Sequence, residues 1–565
     1  MILLDPNKHK RTYSDDTSRD IMLKTIDFFE DKGKIKLKND DRNRVWYEDF
    51  LEFVKENKIF YNLLTPESYG EEGCRFDNWR NCEFNEILAF YGLHYWYTWQ
   101  VSILGLGPIW MSSNEAQKKR AASLLKEGNV FAFALSERAH GADIYSTEMS
   151  LTPQQDGTYL AAGEKYYIGN GNIAEMVSTF GRFAESDEYV FFVANYNRQE
   201  YELIKNVVNS QSYVADFVLR DYPVMENEIL SKGQEAWDTA LNTVNIGKYN
   251  LGWASIGIST HAYYEAINHA TNRTLYGMKV TDFPHVRQMF VDAYTRLVAM
   301  KLFTLRAADY MRVASTNDRR YLLYNPTVKM KVTTQGEEVV NLLWEIIAAK
   351  GFEKDTYFEM ATRDIRALPK LEGTVHVNIA LILKFMANYF FNPMHYAEVK
   401  TQDQVRHDGF LFNQGPARGL GDIRFHHYGE IYDQFDLLNI NVFVNQVKTF
   451  EDLLLGAPPD STQQKDTDFL LALGEMFTLV VYGQLILENA KIYKIEPVLV
   501  DQIFDFMIRD FSRFALTLYS KANTSEAQMK HLQAMIKKPV PDPERFSKVW
   551  NEHANALRNI YEMNP

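Results

Sequence analysis

The sequence predicts a mainly α protein with a central β domain. Three observations carry this: helical periodicity from about residue 17 to 127, a strand-rich texture between roughly 131 and 223, and a return of the helical period after Gly233. The first block opens with SRDIMLKTIDFFEDKG and runs on in mixed segments punctuated at Pro66 and Gly70, with few runs of β-branched residues. FAFAL, YLAAGEKYYIG, YVFFVANY and SYVADFVLR then each read as a strand bounded by Gly, Asn, Asp or Pro. Beyond Gly233, Val286, Phe290, Ala293, Leu297, Met300, Phe303, Ala307 and Tyr310 recur at three- and four-residue steps. They therefore share one stripe of a bundle helix. A glycine-bearing connection, DGFLFNQGPARGLGDIRF, leads into a last helical block. The expected domains are residues 1–130 (helical), 131–235 (β), 236–400 (helical bundle), 401–428 (linker) and 429–565 (an extra helical domain).

Composition narrows the function. The 565 residues are 46% hydrophobic, 14% aromatic and 24% charged, which suits a folded globular chain of several domains. A formal charge of -13 argues against a nucleic-acid binder, whose basic excess would neutralise phosphates. Cys74 and Cys82 are too few for a disulfide framework or a zinc site and point to a reducing compartment. The amino terminus, MILLDPNKHKRTYSDD, turns polar after four residues, so a cytoplasmic location is expected. FLLALGEMFTLVVYGQLILENA is interrupted by Glu475 and Gln484 and reads as a buried helix rather than a membrane span. Alternating βαβ units, GxGxxG and GxxxxGK[ST] are all missing, so a Rossmann or P-loop site is unsupported. His426 and His427 are adjacent in RFHHYGE, and on a helix they would point about a hundred degrees apart, which favours a structural role over a metal site.

LPKLEGTVHVN, residues 368–378, places Glu372 before a helix that Thr374 would cap, where a carboxylate favours the positive end of the helix dipole. Other stretches give this segment its context. FALSERAHGADIYS (133–146) resembles the acyl-CoA dehydrogenase signature, with Arg138, His140 and Ala142 as departures; the His140-Gly141 pair is more similar to the acyl-CoA oxidases. GEKYYIGNGNIA (163–174) is similar to the family's flavin-facing strand-turn, with Tyr167 where tryptophan is common and Gly169 where threonine is usual. VMENEILSKGQEAWDTALNTVNIGKY (224–249) resembles the crossing into the bundle, and RTLYGMKVTDFPHVRQ (273–288) the Arg-x-x-aromatic-Gly element. EIIAAKGFEKD (345–355) parallels a motif usually written with Gln and paired glycines, and RDIRALPKLEGT (363–374) the segment ending in Glu-Gly-Thr. The pieces follow the family's order over about residues 20–400.

The resemblance implies a helical domain, a barrel- or sandwich-like β domain and a four-helix bundle, with an added carboxyl-terminal helical domain. It implies FAD as cofactor and α,β-dehydrogenation of an acyl-CoA to the trans-2-enoyl product. Glu372 would take the α proton while hydride passes to flavin N5, and its backbone N–H would help polarise the thioester carbonyl. Gly247 stands where some members carry the base, so no competing carboxylate occurs there. Phe133, Leu135, Ser136, Tyr167 and Gly169 match flavin-contacting positions, Arg273 and Tyr276 the pyrophosphate element, and Thr374 and His376 further cofactor contacts. Gly373 and Lys248 are the implied substrate contacts. Partners would be an acyl-CoA or acyl-carrier thioester, an electron-transfer flavoprotein if the chain is a dehydrogenase, and a second copy in a homodimer or homotetramer. An acyl-CoA oxidase is one alternative. A silent paralogue acting as a binding protein is another, motivated by Ala142, Gly169, Ala348 and Ala349.

Overall fold

The computed structural model describes residues 3–8, 13 and 15–565. Two compact units result: the described residues of 9–250, 403–418 and 563–565 form one, and those of 1–8, 251–402 and 419–562 the other. These units cut across the five expected domains.

The first unit opens with six helices: α1 (Asp16–Asn43), α2 (Glu48–Glu56), α3 (Ile59–Leu64), α4 (Asn78–Tyr91), α5 (Leu93–Met111) and α6 (Glu115–Lys126). Asp15 caps α1 by accepting from Ser18 N at 2.8 Å, which fixes where the first helix starts. A buried polar chain runs through this block. Asn85 Oδ1 accepts from the indoles of Trp96 and Trp99, Asn85 Nδ2 donates to Asn250, Asn250 donates to Gln100, and Gln100 Nε2 donates to the Gly247 carbonyl at 3.0 Å. Each link satisfies a polar group removed from water, so the network specifies one arrangement of its helices.

Eight strands follow: β1 (Phe131–Ala134), β2 (Ser150–Pro153), β3 (Tyr159–Gly169), β4 (Met176–Phe183), β5 (Tyr189–Ala194), β6 (Tyr201–Asn206), β7 (Val214–Val224) and β8 (Ile229–Lys232). Their order in the sheet is β6-β7-β3-β2-β4-β5-β8, with β1 beside β4. β4 pairs in parallel with β1 and β2, and the remaining pairs are antiparallel. Leu151, Ile168, Val177, Phe192 and Phe217 lie in its core. α7 (Gly233–Gly247) packs on α5 and β5, so it joins this unit rather than the bundle. Residues 403–418, expected as a linker, are also built in: Asp408 accepts from Asn78 N at 2.7 Å, His407 accepts from Phe76 N, and Phe412 meets Phe76 edge-on.

The second unit holds α8 (Asn250–Thr271), a hairpin of β9 (Thr274–Leu275) and β10 (Met278–Lys279), and α9 (Pro284–Arg312). α10 (Tyr321–Thr327) continues through a π-helical turn, Val328–Val332, into α11 (Thr333–Ile347). Pro326 lacks an N–H and removes one bond of the helical ladder just before that turn widens. Then come α12 (Tyr357–Asp364), α13 (Val375–Leu383), α14 (Met386–Phe391), α15 (Gly429–Tyr432), α16 (Leu438–Gly456), α17 (Thr467–Ile492), α18 (Pro497–Tyr519), α19 (Glu526–Met535) and α20 (Pro543–Val549).

All eight residues of the expected α9 stripe are buried. The helix is buried on its other face too, including Asp292, Arg296 and Arg306, because α17 and α18 pack against it. Arg296 pairs with Asp510 at 2.8 Å, Arg509 with Asp292 at 2.7 Å and Arg306 with Glu488 at 2.7 Å. The carboxyl-terminal block is therefore part of the bundle's own core. α17 is apolar enough to cross a membrane by length and composition, yet 83% of that window is buried here against α9, α13 and α18. Gln484, one of its polar interruptions, accepts from Tyr389 OH inside the core.

Candidate active site

Glu372 sits in the loop between α12 and α13, and the loop is held at both ends. Upstream, the fully buried Lys329 of the π turn donates to the Pro369 carbonyl at 2.7 Å, and Lys370 pairs with Glu337 of α11 at 2.6 Å. Downstream, Thr374 caps α13 by accepting from Val377 N, while Asn378 Nδ2 donates to the carbonyls of Gly373 and Thr374. Between these anchors Glu372 takes φ 52° and Gly373 φ 84°. Positive φ is uncommon for a glutamate and is kept only where surroundings impose it. The residue is half-buried and its Oε2 is shielded from solvent. His376 and Val377, one turn on, are exposed.

In the first unit, Phe133 ends up buried on β1, its ring stacked with Phe191 at 5.9 Å, and Leu135 and Ser136 follow at the strand's half-buried end. Tyr167 lies on β3 where the pairing with β7 slips between Tyr166 and Ile168. It adopts φ 71°, and the bulge turns its ring outward to 42% exposure. Gly169 is buried: a Cβ there would lie 2.7 Å from Tyr97 and 2.8 Å from Val101 of α5. The threonine usual at this position has no room, so the loss of that hydroxyl follows from the closeness of α5. Lys248, just past α7, is buried in the same unit.

In the second unit, Arg273 is half-buried ahead of β9, and Tyr276 stands at the hairpin tip, 96% exposed. Tyr276 and Gly277 have φ 50° and 79°, the two positive values that a tight two-residue hairpin needs. Ala348, where paired glycines are usual, adopts φ 57° and ψ -138°. The glycine-like turn is thus retained in an alanine, at a cost in backbone strain.

Sequence reading missed the group that organises the 136–149 loop. Glu137 accepts from Lys165 Nζ at 2.8 Å, Glu148 N at 2.7 Å, Met149 N at 3.1 Å and Thr147 Oγ1. Burial works to raise this carboxyl, and the Lys165 charge and the hydrogen bonds more than reverse it, leaving it below the usual glutamate value. Lys165 is fully buried and is pulled down to about 8 by that burial. Both lie within quoted motifs, but a lysine buried on a strand has no one-dimensional signal. Ser136 also accepts from Tyr166 N through its carbonyl, which ties the loop's start to β3. His140 contacts Glu148 at 3.3 Å, and His427 accepts from Gly429 N, a structural role.

A helical block, an eight-stranded mixed sheet and a helical bundle that carries a glutamate on a capped loop together define the acyl-CoA dehydrogenase fold. Residues 235–387 match the family described as acyl-CoA dehydrogenase, C-terminal domain. By this match and by its fold the chain is similar to the acyl-CoA dehydrogenases, oxidoreductases acting on CH–CH bonds. It is 24% identical over 367 residues to the mitochondrial very long-chain specific acyl-CoA dehydrogenase of Rattus norvegicus, covering 61% of this chain and 54% of that one. It is 24% identical over 331 residues to the caffeyl-CoA reductase-Etf complex subunit CarC of Acetobacterium woodii, covering 57% and 86%. An acyl-CoA dehydrogenase complexed with FAD from Bacillus anthracis superposes with a TM-score of 0.75 at 16% identity, over 99% of this chain and 97% of that one. That last likeness includes the carboxyl-terminal block.

Proposed function

We propose that this chain is an FAD-dependent dehydrogenase of acyl-CoA thioesters in which Glu372 is the base. The observation that carries the reading is the Glu372 loop: a strained, half-buried glutamate with a shielded oxygen, fixed between the Lys329–Pro369 bond and the Thr374 cap. A carboxylate held this way can take the α proton of a thioester without losing orientation, and partial removal from water strengthens it as a base. The Glu372 N–H is suited to donate to the thioester oxygen as charge builds there.

The chain's residues fit a flavin. Tyr167 offers an exposed ring on a bulge strained to present it, Ser136 offers a half-exposed hydroxyl, and Arg273 makes no ion pair among the described residues. Phe133 and Leu135 would line the isoalloxazine ring, Arg273 and Tyr276 would receive the phosphates, a task for which a guanidinium is suited, and Thr374 and His376 would add polar contacts. Bound FAD supplies the acceptor for the β hydrogen. An electron-transfer flavoprotein is the expected electron partner, and two buried cysteines that form no disulfide among the described residues fit the reducing compartment of a cytoplasmic enzyme.

The test is anaerobic bleaching of the flavin by a graded acyl-CoA series, alongside Glu372→Gln. The variant is expected to keep its colour and ligand binding but to be reduced at least about 100-fold more slowly, the scale of a lost general base. Reduction at the wild-type rate would remove Glu372 from this role. Hydrogen peroxide formed stoichiometrically in air would instead favour the oxidase reading that His140-Gly141 supports.

A further inference from the structure

The second unit contains a polar cavity of about 210 Å³ between α11, α17 and α18, tied to the Glu372 loop through the Glu337–Lys370 pair. Its lining carries two cations. Lys331 belongs to the π turn, is 1% exposed, and lines the cavity with no hydrogen bond or ion pair among the described residues; its ammonium lies 5.0 Å from the Phe514 ring. Arg513 stands beside it, half its side chain exposed, with Asp510 3.5 Å away. The same lining carries two acids, Glu338 on the helix that also bears Lys331 and Glu475 on α17, while Glu337 is already paired with Lys370.

This arrangement is unusual for a bundle core. Opposite charges in a buried site normally close on each other, because an isolated buried ion costs several kcal/mol. Here neither Lys331 nor Glu475 makes an ion pair among the described residues, although both line the cavity. Burial pushes the Glu475 carboxyl up and the Lys331 ammonium down, so both groups are poorly satisfied as they stand. The π turn that delivers Lys331 is itself an irregularity, of a kind found mostly at functional sites. The volume corresponds to about seven waters, too small for a nucleotide or an acyl-CoA.

We propose that this cavity binds a small amino carboxylate, with its carboxylate on Lys331 and Arg513 and its ammonium group on Glu475 and Glu338. A zwitterion satisfies both kinds of lining charge at once, whereas a simple anion leaves the acids bare and a simple cation leaves Lys331 unpaired. The Gln335 and Asn341 side chains, also in the lining, are engaged through their oxygens by Arg296 and Arg366, which leaves their amide N–H groups to donate to a carboxylate.

Thermal-shift and calorimetric titration of the full chain with glycine and serine, set against acetate, methylammonium and inorganic phosphate, test this. Glycine or serine is expected to raise Tm and to bind at least ten-fold more tightly than the three single-charge probes. Arg513→Gln, at the exposed edge, should weaken that binding at least ten-fold without changing the fold, and Lys331→Met should abolish it. Absence of a shift with every amino acid would overturn the site. Binding of acetate or phosphate as tight as that of serine would overturn the ligand class, and unaltered serine binding in Arg513→Gln would overturn the location.

Discussion

Ala348 shows at the residue scale how a departure from a family pattern can be read physically. The sequence raises two possibilities, a looser approach or a different turn; the structure keeps the positive φ and accepts the strain. Ala348→Gly should therefore raise stability by about 1 kcal/mol, since relief of a Gly-favouring conformation outweighs the added entropy of the unfolded glycine. Urea unfolding checks this, with a lower midpoint counting against the strain. Gly336 is the reverse case. A Cβ there would lie 2.0 Å from Ser255 Oγ and 3.0 Å from Ile365, so Gly336→Ala should push α8 and α11 apart and cost about 1–3 kcal/mol. An unchanged Tm would mean that the two helices can move at no cost.

Among the elements, the 136–149 loop depends on one side chain. Glu137→Ala would leave Lys165 buried without its carboxylate and free the N–H groups of Glu148 and Met149. Breaking such a pair costs about 3–5 kcal/mol, and the amides of Glu148 and Met149 should exchange with solvent much faster than in the wild type. Unchanged exchange would show that the loop is held by other means. Much of the strand pattern was legible: β3 spans the eleven residues YLAAGEKYYIG that the sequence delimits, β1 and β5 fall within their expected stretches, and β7 begins inside SYVADFVLR but runs on past it to Val224. β2, β4, β6 and β8 were not singled out. β4, MVSTFGRF, is buried along most of its length and shows no alternation, while β2 and β8 have four residues each, too short for a period to emerge.

For the molecule as a whole, the carboxyl-terminal block decides stability. Asp510 feels burial, which would raise its carboxyl, and the charge and hydrogen bonds of Arg296, which hold it well below the usual aspartate value. A carboxyl depressed in the folded state contributes stability that is present above its unfolded pKa and is lost as pH falls through the folded one. Stability should therefore decline below about pH 4. Asp510→Asn should cost about 3–5 kcal/mol at pH 7, because Arg296 is left buried and unpaired, and should flatten that acid decline. Equal pH profiles for the variant and the wild type would contradict the assignment. A chain ending at residue 428 should expose the second face of α9 and be recovered aggregated or oligomeric. A well-behaved truncated monomer would show that α16–α20 are dispensable.

The sequence by itself determined the order of helical and strand blocks, the stripe along α9, the Thr374 cap, the buried character of α17 and the short motifs that mark the family, because each depends on residues close together in the chain. Tertiary structure decided what distant segments do to one another within each unit. Examples are the strain at Glu372 and Tyr167, the loss of space at Gly169, the Glu137–Lys165 pair, and the joining of residues 419–562 to the bundle. Those outcomes arise from packing and desolvation between side chains far apart in sequence, and a linear pattern carries no record of which of them will meet.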